Sequence, residues 1–306
     1  MDKFIIEGGT PLKGTIPISG SKNAALPLMA ASLLGNSAST INNIPRLKDI
    51  YTFNNVIRVV GAQVDFKEDE NTLIIDPTNV NHLEAPYDLV RKMRASFYML
   101  GALVGKHGYA KVSLPGGCAW GPRPVDLHLK GMEAMGINIE LEKGYVIAKA
   151  DEKVEGGSFT LEPSSVGATV NLLLASVLKA KKFTINNAAK EPDVVQLCNF
   201  LTKMGADIEG IGTDTLTIKA VDSLQGIEVS NDPDRIELGT FMIAGAMFPG
   251  SELTLTGCNP EQLGNFTKKL KQTGTSVEVD GTTIHVKAPE KLKPVSIKTE
   301  IYPGFP

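Results

Sequence analysis

Cysteine is scarce in this sequence: Cys118, Cys198 and Cys258 are the only three. An odd number with no metal-like spacing excludes a disulfide framework and a thiolate metal site, and it fits a reducing compartment. The four histidines, His82, His107, His128 and His285, are scattered and give no metal spacing either, so no metal and no cofactor is expected. A basic excess is also lacking. Lys and Arg number 31 against 34 Asp and Glu, a net charge of -3 with a pI near 5.9. That balance argues against nucleic acid as a partner, because phosphate binding needs a basic face. No apolar run approaches the roughly twenty residues that span a bilayer, and Met1-Asp2-Lys3-Phe4-Ile5-Ile6 reads as a strand, not a signal peptide. What remains is a soluble, cytoplasmic chain whose 306 residues, 42% hydrophobic, can build two domains.

What the chain does have is a repeat. Helical patterns at 47–60, 127–135, 193–204 and 263–272 each end near a glycine, at Gly61, Gly136, Gly205 and Gly274. The spacings are 136 − 61 = 75, 205 − 136 = 69 and 274 − 205 = 69. Each such glycine reads as a helix C-cap that needs positive φ. Before each helix stands a strand, and before that a second helix, at 24–34, 95–104, 168–179 and 238–247. Two strands follow each glycine, as in Gln63–Phe66 and Thr72–Ile75. Regularity of this kind marks internal duplication. The expected fold is α/β, with repeated modules packed around a shared helical interior. Ahead of the first module, Phe4–Glu7 and Leu12–Ile18 read as strands. Ser21 is the expected cap of the first helix, with Pro27 in or near its first turn.

One loop stands out. Pro115-Gly116-Gly117-Cys118-Ala119-Trp120-Gly121-Pro122-Arg123-Pro124 joins a strand to a helix, with a thiol at its tip and a guanidinium five positions on. Glycines let a ligand approach the backbone, and a nearby cation favours a reactive thiol. The bland alternative is a small buried thiol in a Gly/Pro turn. Cys258 occupies the matching place in its own module, but the following Asn259-Pro260-Glu261-Gln262 brings no arginine. Cys198 falls on an apolar helix stripe and reads as core. His128 reads as a structural hydrogen-bonder. Ser19-Gly20-Ser21-Lys22-Asn23, before a helix, could bind an anion, though a solvated lysine at a helix end is the commoner case.

Read with Lys22-Asn23 and Arg94, the segment Pro115 to His128 resembles the UDP-N-acetylglucosamine enolpyruvyl (1-carboxyvinyl) transferases. The resemblance runs through Gly8-Gly9-Thr10-Pro11-Leu12-Lys13-Gly14, Ser165-Val166-Gly167-Ala168-Thr169 and Pro233-Asp234-Arg235-Ile236-Glu237. It implies βαβαββ-type modules in an inside-out α/β barrel with two pseudo-symmetric domains and the active site between them. The first domain would comprise 1–21 plus 232–306, the second the continuous 22–229. It implies transfer of enolpyruvate from phosphoenolpyruvate to the sugar's 3-hydroxyl with release of phosphate, the step that opens peptidoglycan synthesis. Carried over by position, Cys118 would be the proton donor and the thiol that fosfomycin-like epoxides alkylate. Lys22 and Arg123 would be catalytic and grip phosphoenolpyruvate. Asn23, Arg94, Arg123, Pro124, Val125, Asp126 and Leu127, with Ser165, Val166 and Gly167, would hold the UDP-sugar. The cysteine loop would close as a lid, and Asp234 and Glu237 would be structural.

The pattern departs from the family in two places. Pro163-Ser164 stands where a lysine is frequent, removing one expected contact to the uracil. The aspartate proposed as the family's base follows almost at once after the position of Pro306, so the chain as given is expected to lack that base and to turn over negligibly. The fourth module would then show water an apolar helix face, Phe241, Met242, Ile243 and Met247. Two other readings remain: a sugar-nucleotide-binding paralogue without turnover, and the sister 3-phosphoshikimate 1-carboxyvinyltransferase, which the cysteine loop disfavours.

Overall fold

The computed structural model describes residues 3–5, 7–90, 93–115 and 125–305. The chain divides into two compact units, Ser21–Asp232 and Met1–Gly20 with Pro233–Pro306.

Three sheets of one design build the larger unit. In each, an edge strand pairs in parallel with a central strand, which pairs antiparallel with a third, itself antiparallel to a fourth. The first sheet runs Glu228–Ser230, Ser39–Asn42, Thr72–Asp76, Gln63–Lys67. The second runs Glu84–Ala85, Tyr109–Ser113, Tyr145–Lys149, Asn138–Glu142. The third runs Val154–Thr160, Ala180–Asn186, Thr215–Lys219, Asp207–Glu209. The parallel strand supplies the opening β of each βαβαββ module. In the second and third sheets it comes just before the module in sequence. In the first it arrives from beyond the third module, and Glu228–Ser230 closes the ring.

Each module sends one helix inside and leaves one outside. Lys22–Ser32, Tyr98–His107 and Val166–Ser176 are buried along nearly their whole length. Their sequences, such as Val170-Asn171-Leu172-Leu173-Leu174, are apolar all round, as a helix surrounded by protein requires. Lys48–Val59, Asp126–Met135 and Pro192–Met204 bury one face only. Helices inside and sheets outside is the inside-out α/β arrangement expected from the repeats. The glycines ending the outer helices take φ of 102° at Gly61, 100° at Gly136 and 115° at Gly205, and Gly274 in the smaller unit takes 94°. Side chains rarely adopt these values, which is why glycine recurs there.

The inner helices point the same way. A Cβ on Gly101 would lie 2.5 Å from the Asn171 carbonyl oxygen, and one on Gly105 would press on the Leu174 carbonyl. The helices Tyr98–His107 and Val166–Ser176 therefore run side by side, in the same sense, nearly backbone to backbone. At their far end Lys106 Nζ donates to the Leu34 carbonyl over 3.0 Å, which ties the end of the second inner helix to the end of the first.

In the smaller unit, Lys13–Pro17, Glu252–Thr256, Thr283–Lys287 and Ser276–Asp280 form a sheet of the same order. Helix Arg235–Met247 packs on it. Its cap is Asp234, whose carboxylate accepts from the amides of Ile236 and Glu237 at 2.8 and 3.1 Å. Met242 is buried and Phe241 packs half-buried against the core, contrary to expectation, while Ile243 and Met247 are exposed as expected, with Ile236 beside them.

Three local readings need correction. Helix Lys22–Ser32 begins early enough that Pro27 is its sixth residue, past the first turn, so position 27 offers no N–H to the Asn23 carbonyl. The expected helix 263–272 is a 3-10 turn, Pro260–Leu263, followed by Phe266–Gln272, because Gly264 adopts φ +53° and interrupts it. The described residues of 4–7 form no strand.

Candidate active site

Where three buried helices run in one direction, their N-termini crowd together and their partial positive charges add. The residues at these ends in the larger unit are those singled out from the sequence. The first inner helix opens at Lys22 and Asn23. Its cap is Ser21, whose Oγ accepts from the Ala24 amide at 3.2 Å. A 3-10 turn, Arg94–Phe97, leads into the second. The third opens at Val166-Gly167, and its cap Ser165 accepts from the Ala168 amide at 3.3 Å. Beside them the outer helix Asp126–Met135 starts after Val125 with no side-chain cap. Asn23 and Asp126 are exposed, and Lys22, Arg94, Val125, Leu127, Ser165, Val166 and Gly167 are half-buried, so these positions can meet a ligand.

A chain of hydrogen bonds joins these ends. Ser21 Oγ donates to Asp193 Oδ1 over 3.0 Å, linking the first inner helix to the start of Pro192–Met204. Tyr98 stands next to both Asp193 and Arg94. Burial and the Asp193 charge push its hydroxyl up to about 12, with Arg94 opposing. The Ala189 amide donates to Thr169 Oγ1 over 3.1 Å, tying the approach to Pro192–Met204 to the third inner helix. Asn171, fully buried, then spans the second and third helices. Its Oδ1 accepts from the Gly101 amide at 2.9 Å and its Nδ2 donates to the Phe97 carbonyl at 3.2 Å. The same Nδ2 lies 2.8 Å from Nδ1 of His128. His128 crosses the Phe97 ring edge-on with centroids 5.4 Å apart. A Cβ on Gly167 would come within 3.4 Å of its Nε2.

Electrostatically, Lys22 and Arg94 stand at helix N-termini, with Asp49, Asp126 and Asp193 alongside. Lys22 pairs with Asp49 at 3.1 Å, with both side chains about a third exposed, a weak and exchangeable contact. The His128 imidazole is held neutral, its pKa lowered to about 4 by burial first and the Arg94 charge second. Helix N-termini, an arginine and a lysine make this a site for an anion carrying hydrogen-bond acceptors.

Lys22, Asn23, Arg94, Val125, Asp126, Leu127, Ser165, Val166 and Gly167 thus come together at one end of one unit. Cys118, Arg123, Pro124 and the expected lid lie outside the described residues. The two described cysteines are no rivals for the reactive thiol. Burial raises Cys198 to about 12 and Cys258 to about 11, and Cys258 Sγ donates to the Leu255 carbonyl at 3.3 Å. Sequence reasoning missed Asn171 and Asp193. An asparagine interrupting Val170 to Leu174 was a usable signal, since a buried amide must find partners. Among the described residues no group of His, Cys, Asp or Glu could hold a metal.

Residues 6–306 match the family described as EPSP synthase (3-phosphoshikimate 1-carboxyvinyltransferase). The chain is 49% identical over its whole length to the UDP-N-acetylglucosamine 1-carboxyvinyltransferase of Chloroherpeton thalassium, covering 71% of that protein. To the UDP-N-acetylglucosamine 1-carboxyvinyltransferase 1 of Staphylococcus aureus it is 45% identical, again over its whole length, covering 73%. Among solved structures, the enolpyruvyl transferase NikO from Streptomyces tendae superposes with a TM-score of 0.86 at 26% identity, over 98% of this chain and 71% of that one. EPSP synthase from Acinetobacter baumannii gives a TM-score of 0.71 at 18% identity over 95% and 68%, a likeness of fold.

Proposed function

This chain belongs to the EPSP synthase family, on the side of its UDP-N-acetylglucosamine 1-carboxyvinyltransferases, and from that premise we propose how its residues perform the transfer. It is an enzyme that moves enolpyruvate from phosphoenolpyruvate to the 3-hydroxyl of UDP-N-acetylglucosamine and releases phosphate, the first committed step of peptidoglycan synthesis. The observation that carries the sugar-nucleotide reading is identity of 45–49% to enzymes of that name, against 18% to an EPSP synthase. The cationic helix ends agree with substrates bearing diphosphate, phosphate and carboxylate.

The sugar's 3-hydroxyl gives up its proton as its oxygen adds to C2 of phosphoenolpyruvate and C3 gains a proton from the thiol, giving a tetrahedral ketal. The thiolate recovers its proton when C3 later releases one, and the departing phosphate carries away the hydroxyl's. The bond from C2 to the phosphate oxygen then breaks, a proton leaves C3, and the enol ether and phosphate remain. Cys118 delivers the proton to C3, and the two other cysteines, buried with raised pKa values, are unsuited to it. Lys22 and Arg123 hold the phosphate and carboxylate and stabilise charge at the reacting centre. Lys22 exchanges its Asp49 partner for substrate at little cost, because exposed pairs are worth about 0–1 kcal/mol. The diphosphate lies against the helix N-termini at Ser165-Val166-Gly167, with Arg94 beside it. Val125, Asp126 and Leu127, with Arg123 and Pro124, hold the uridine, and Asn23 orients the sugar. Among the described residues no helix is long and apolar enough to cross a membrane. Charged, diffusible substrates fit a reaction in the cytoplasm.

Calorimetry should show the chain binding UDP-N-acetylglucosamine and ignoring shikimate 3-phosphate. Preference for shikimate 3-phosphate would overturn the reading. A phosphate-release assay on the chain tests the expected lack of turnover. Where it turns over, Cys118→Ser should abolish release while sparing that binding, whereas Cys118→Asp, still an acid, should retain turnover and resist epoxide alkylation.

A further inference from the structure

We propose that Asn171 is a positioning residue for the sugar nucleotide, the joint that holds three ligand-binding segments in register and fixes which nitrogen of His128 carries the proton. The assignment rests on the proposed function for its ligand, but its geometry stands alone. The Phe97 carbonyl and the Gly101 amide are the i, i−4 pair that an α-helix joins directly. Both are bonded to Asn171 as well, at 3.2 and 2.9 Å. Its amide therefore clamps the junction at which the 3-10 turn carrying Arg94 passes into the helix Tyr98–His107.

The orientation of that amide is not free. The Gly101 N–H is a donor and the Phe97 carbonyl an acceptor, so the amide oxygen faces Gly101 and the nitrogen faces Phe97. That nitrogen has two N–H groups, one for the Phe97 carbonyl and one for His128 Nδ1, 2.8 Å away. His128 must accept at Nδ1, and its proton sits on Nε2. Nε2 borders the backbone of Gly167, which lacks the Cβ that would crowd the ring. Asn171 itself belongs to the helix that begins at Ser165-Val166-Gly167, and His128 to the one that begins at Asp126-Leu127. One side chain thus reaches the Arg94 turn, the Val125–Leu127 segment and the Ser165–Gly167 segment, while Lys22 lies outside its bonds.

Nitrogen-15 NMR of histidine-labelled chain should show His128 as the Nε2–H tautomer. Asn171→Asp keeps an acceptor for Gly101 but cannot donate, so the ring should turn to Nδ1–H or become imidazolium. UDP-N-acetylglucosamine should then bind at least tenfold more weakly by calorimetry. Phosphoenolpyruvate binding, measured by calorimetry on the same protein, should change less than threefold. Asn171→Leu, removing all three bonds, should weaken sugar-nucleotide binding at least as much. Circular dichroism of both variants separates this from loss of fold, and if the leucine variant is unfolded the aspartate variant carries the test. A moved His128 signal with unchanged sugar-nucleotide affinity would overturn the proposal, as would an unmoved signal in Asn171→Asp. If the wild-type chain takes no UDP-N-acetylglucosamine, the functional reading falls and the ligand role of Asn171 with it. The tautomer measurement still decides the geometry in that case.

Discussion

Ser21 Oγ donates to Asp193 Oδ1 across 172 residues of sequence while accepting from the Ala24 amide. A helix cap and an interhelical tie are one hydroxyl. Ser21→Ala should lose a cap worth about 1 kcal/mol and one donor to a buried carboxylate worth about 1–3 kcal/mol. Denaturant unfolding of the larger unit should show the sum. In a double-mutant cycle with Asp193→Ala the two changes should couple by more than about 0.5 kcal/mol. Simple additivity would mean that the tie contributes nothing.

The neutral His128 predicts an acid sensitivity with a definite sign. Its folded pKa, about 4, lies below its ordinary 6.5. Between those values the unfolded chain binds the proton and the folded chain does not, so stability falls as pH falls through that window. The slope from this one group approaches about 1.4 kcal/mol per pH unit, and below the window it vanishes. His128→Gln should flatten stability against pH between 6.5 and about 4. An unchanged profile would show that the ring titrates normally in the fold.

Thiol chemistry should be confined to one position. Cys198 and Cys258 are buried with pKa values near 12 and 11, so neither supplies thiolate at neutral pH. Alkylation of the native chain near pH 7.5, followed by peptide mapping, should mark Cys118 alone. In denaturant all three should react. Native labelling at Cys198 or Cys258 would contradict the burial found here.

Gly101→Ala would set a methyl group 2.5 Å from the Asn171 carbonyl oxygen. Backbone cannot yield as a side-chain tip can, so the two inner helices must separate. Overpacking of this kind costs about 1–3 kcal/mol, and the unfolding midpoint should drop accordingly. A neutral Gly101→Ala would mean that the helices are less closely apposed.

How much of this was legible in the sequence depended on range. The inner helices announced themselves as runs such as Ala24–Leu34, and the glycines at 61, 136, 205 and 274 marked where the outer ones end. Lys22, Arg94 and Ser165–Gly167 could be singled out because the family motif is local, and the structure sets them at neighbouring helix ends. The thiol loop itself lies outside the described residues. The edge strands Glu84–Ala85 and Glu228–Ser230 were not, since two or three residues carry no alternation and their strand character comes from a distant partner. Pro27 misled because the true helix start lies earlier than its apolar run. Asn171 was visible as a polar break but not interpretable. Its meaning is the carbonyl at 97 and the ring at 128, which only the packed helices bring to it.

Glu228–Ser230 fixes an order of events as well as a shape. The first sheet, begun at Ser39, cannot be completed until a strand some 188 residues later has left the ribosome. At ~5–20 residues per second, nascent Ser39–Asn42 spends about 9 to 38 seconds as an unpaired sheet edge, open to wrong partners. The second and third sheets take their edge strands from immediately upstream and can assemble during synthesis. Such a long-range final pairing is also the slow kind of contact in refolding. The larger unit should therefore close last at the seam where the Ser21 amide meets the Asp232 carbonyl, 2.7 Å apart. The same proximity makes that seam the natural place to join the ends and open the chain elsewhere. A permutant of the larger unit alone, joined there and opened between Glu152 and Lys153, would bring Glu228–Ser230 close to Ser39–Asn42 in sequence and remove the delay.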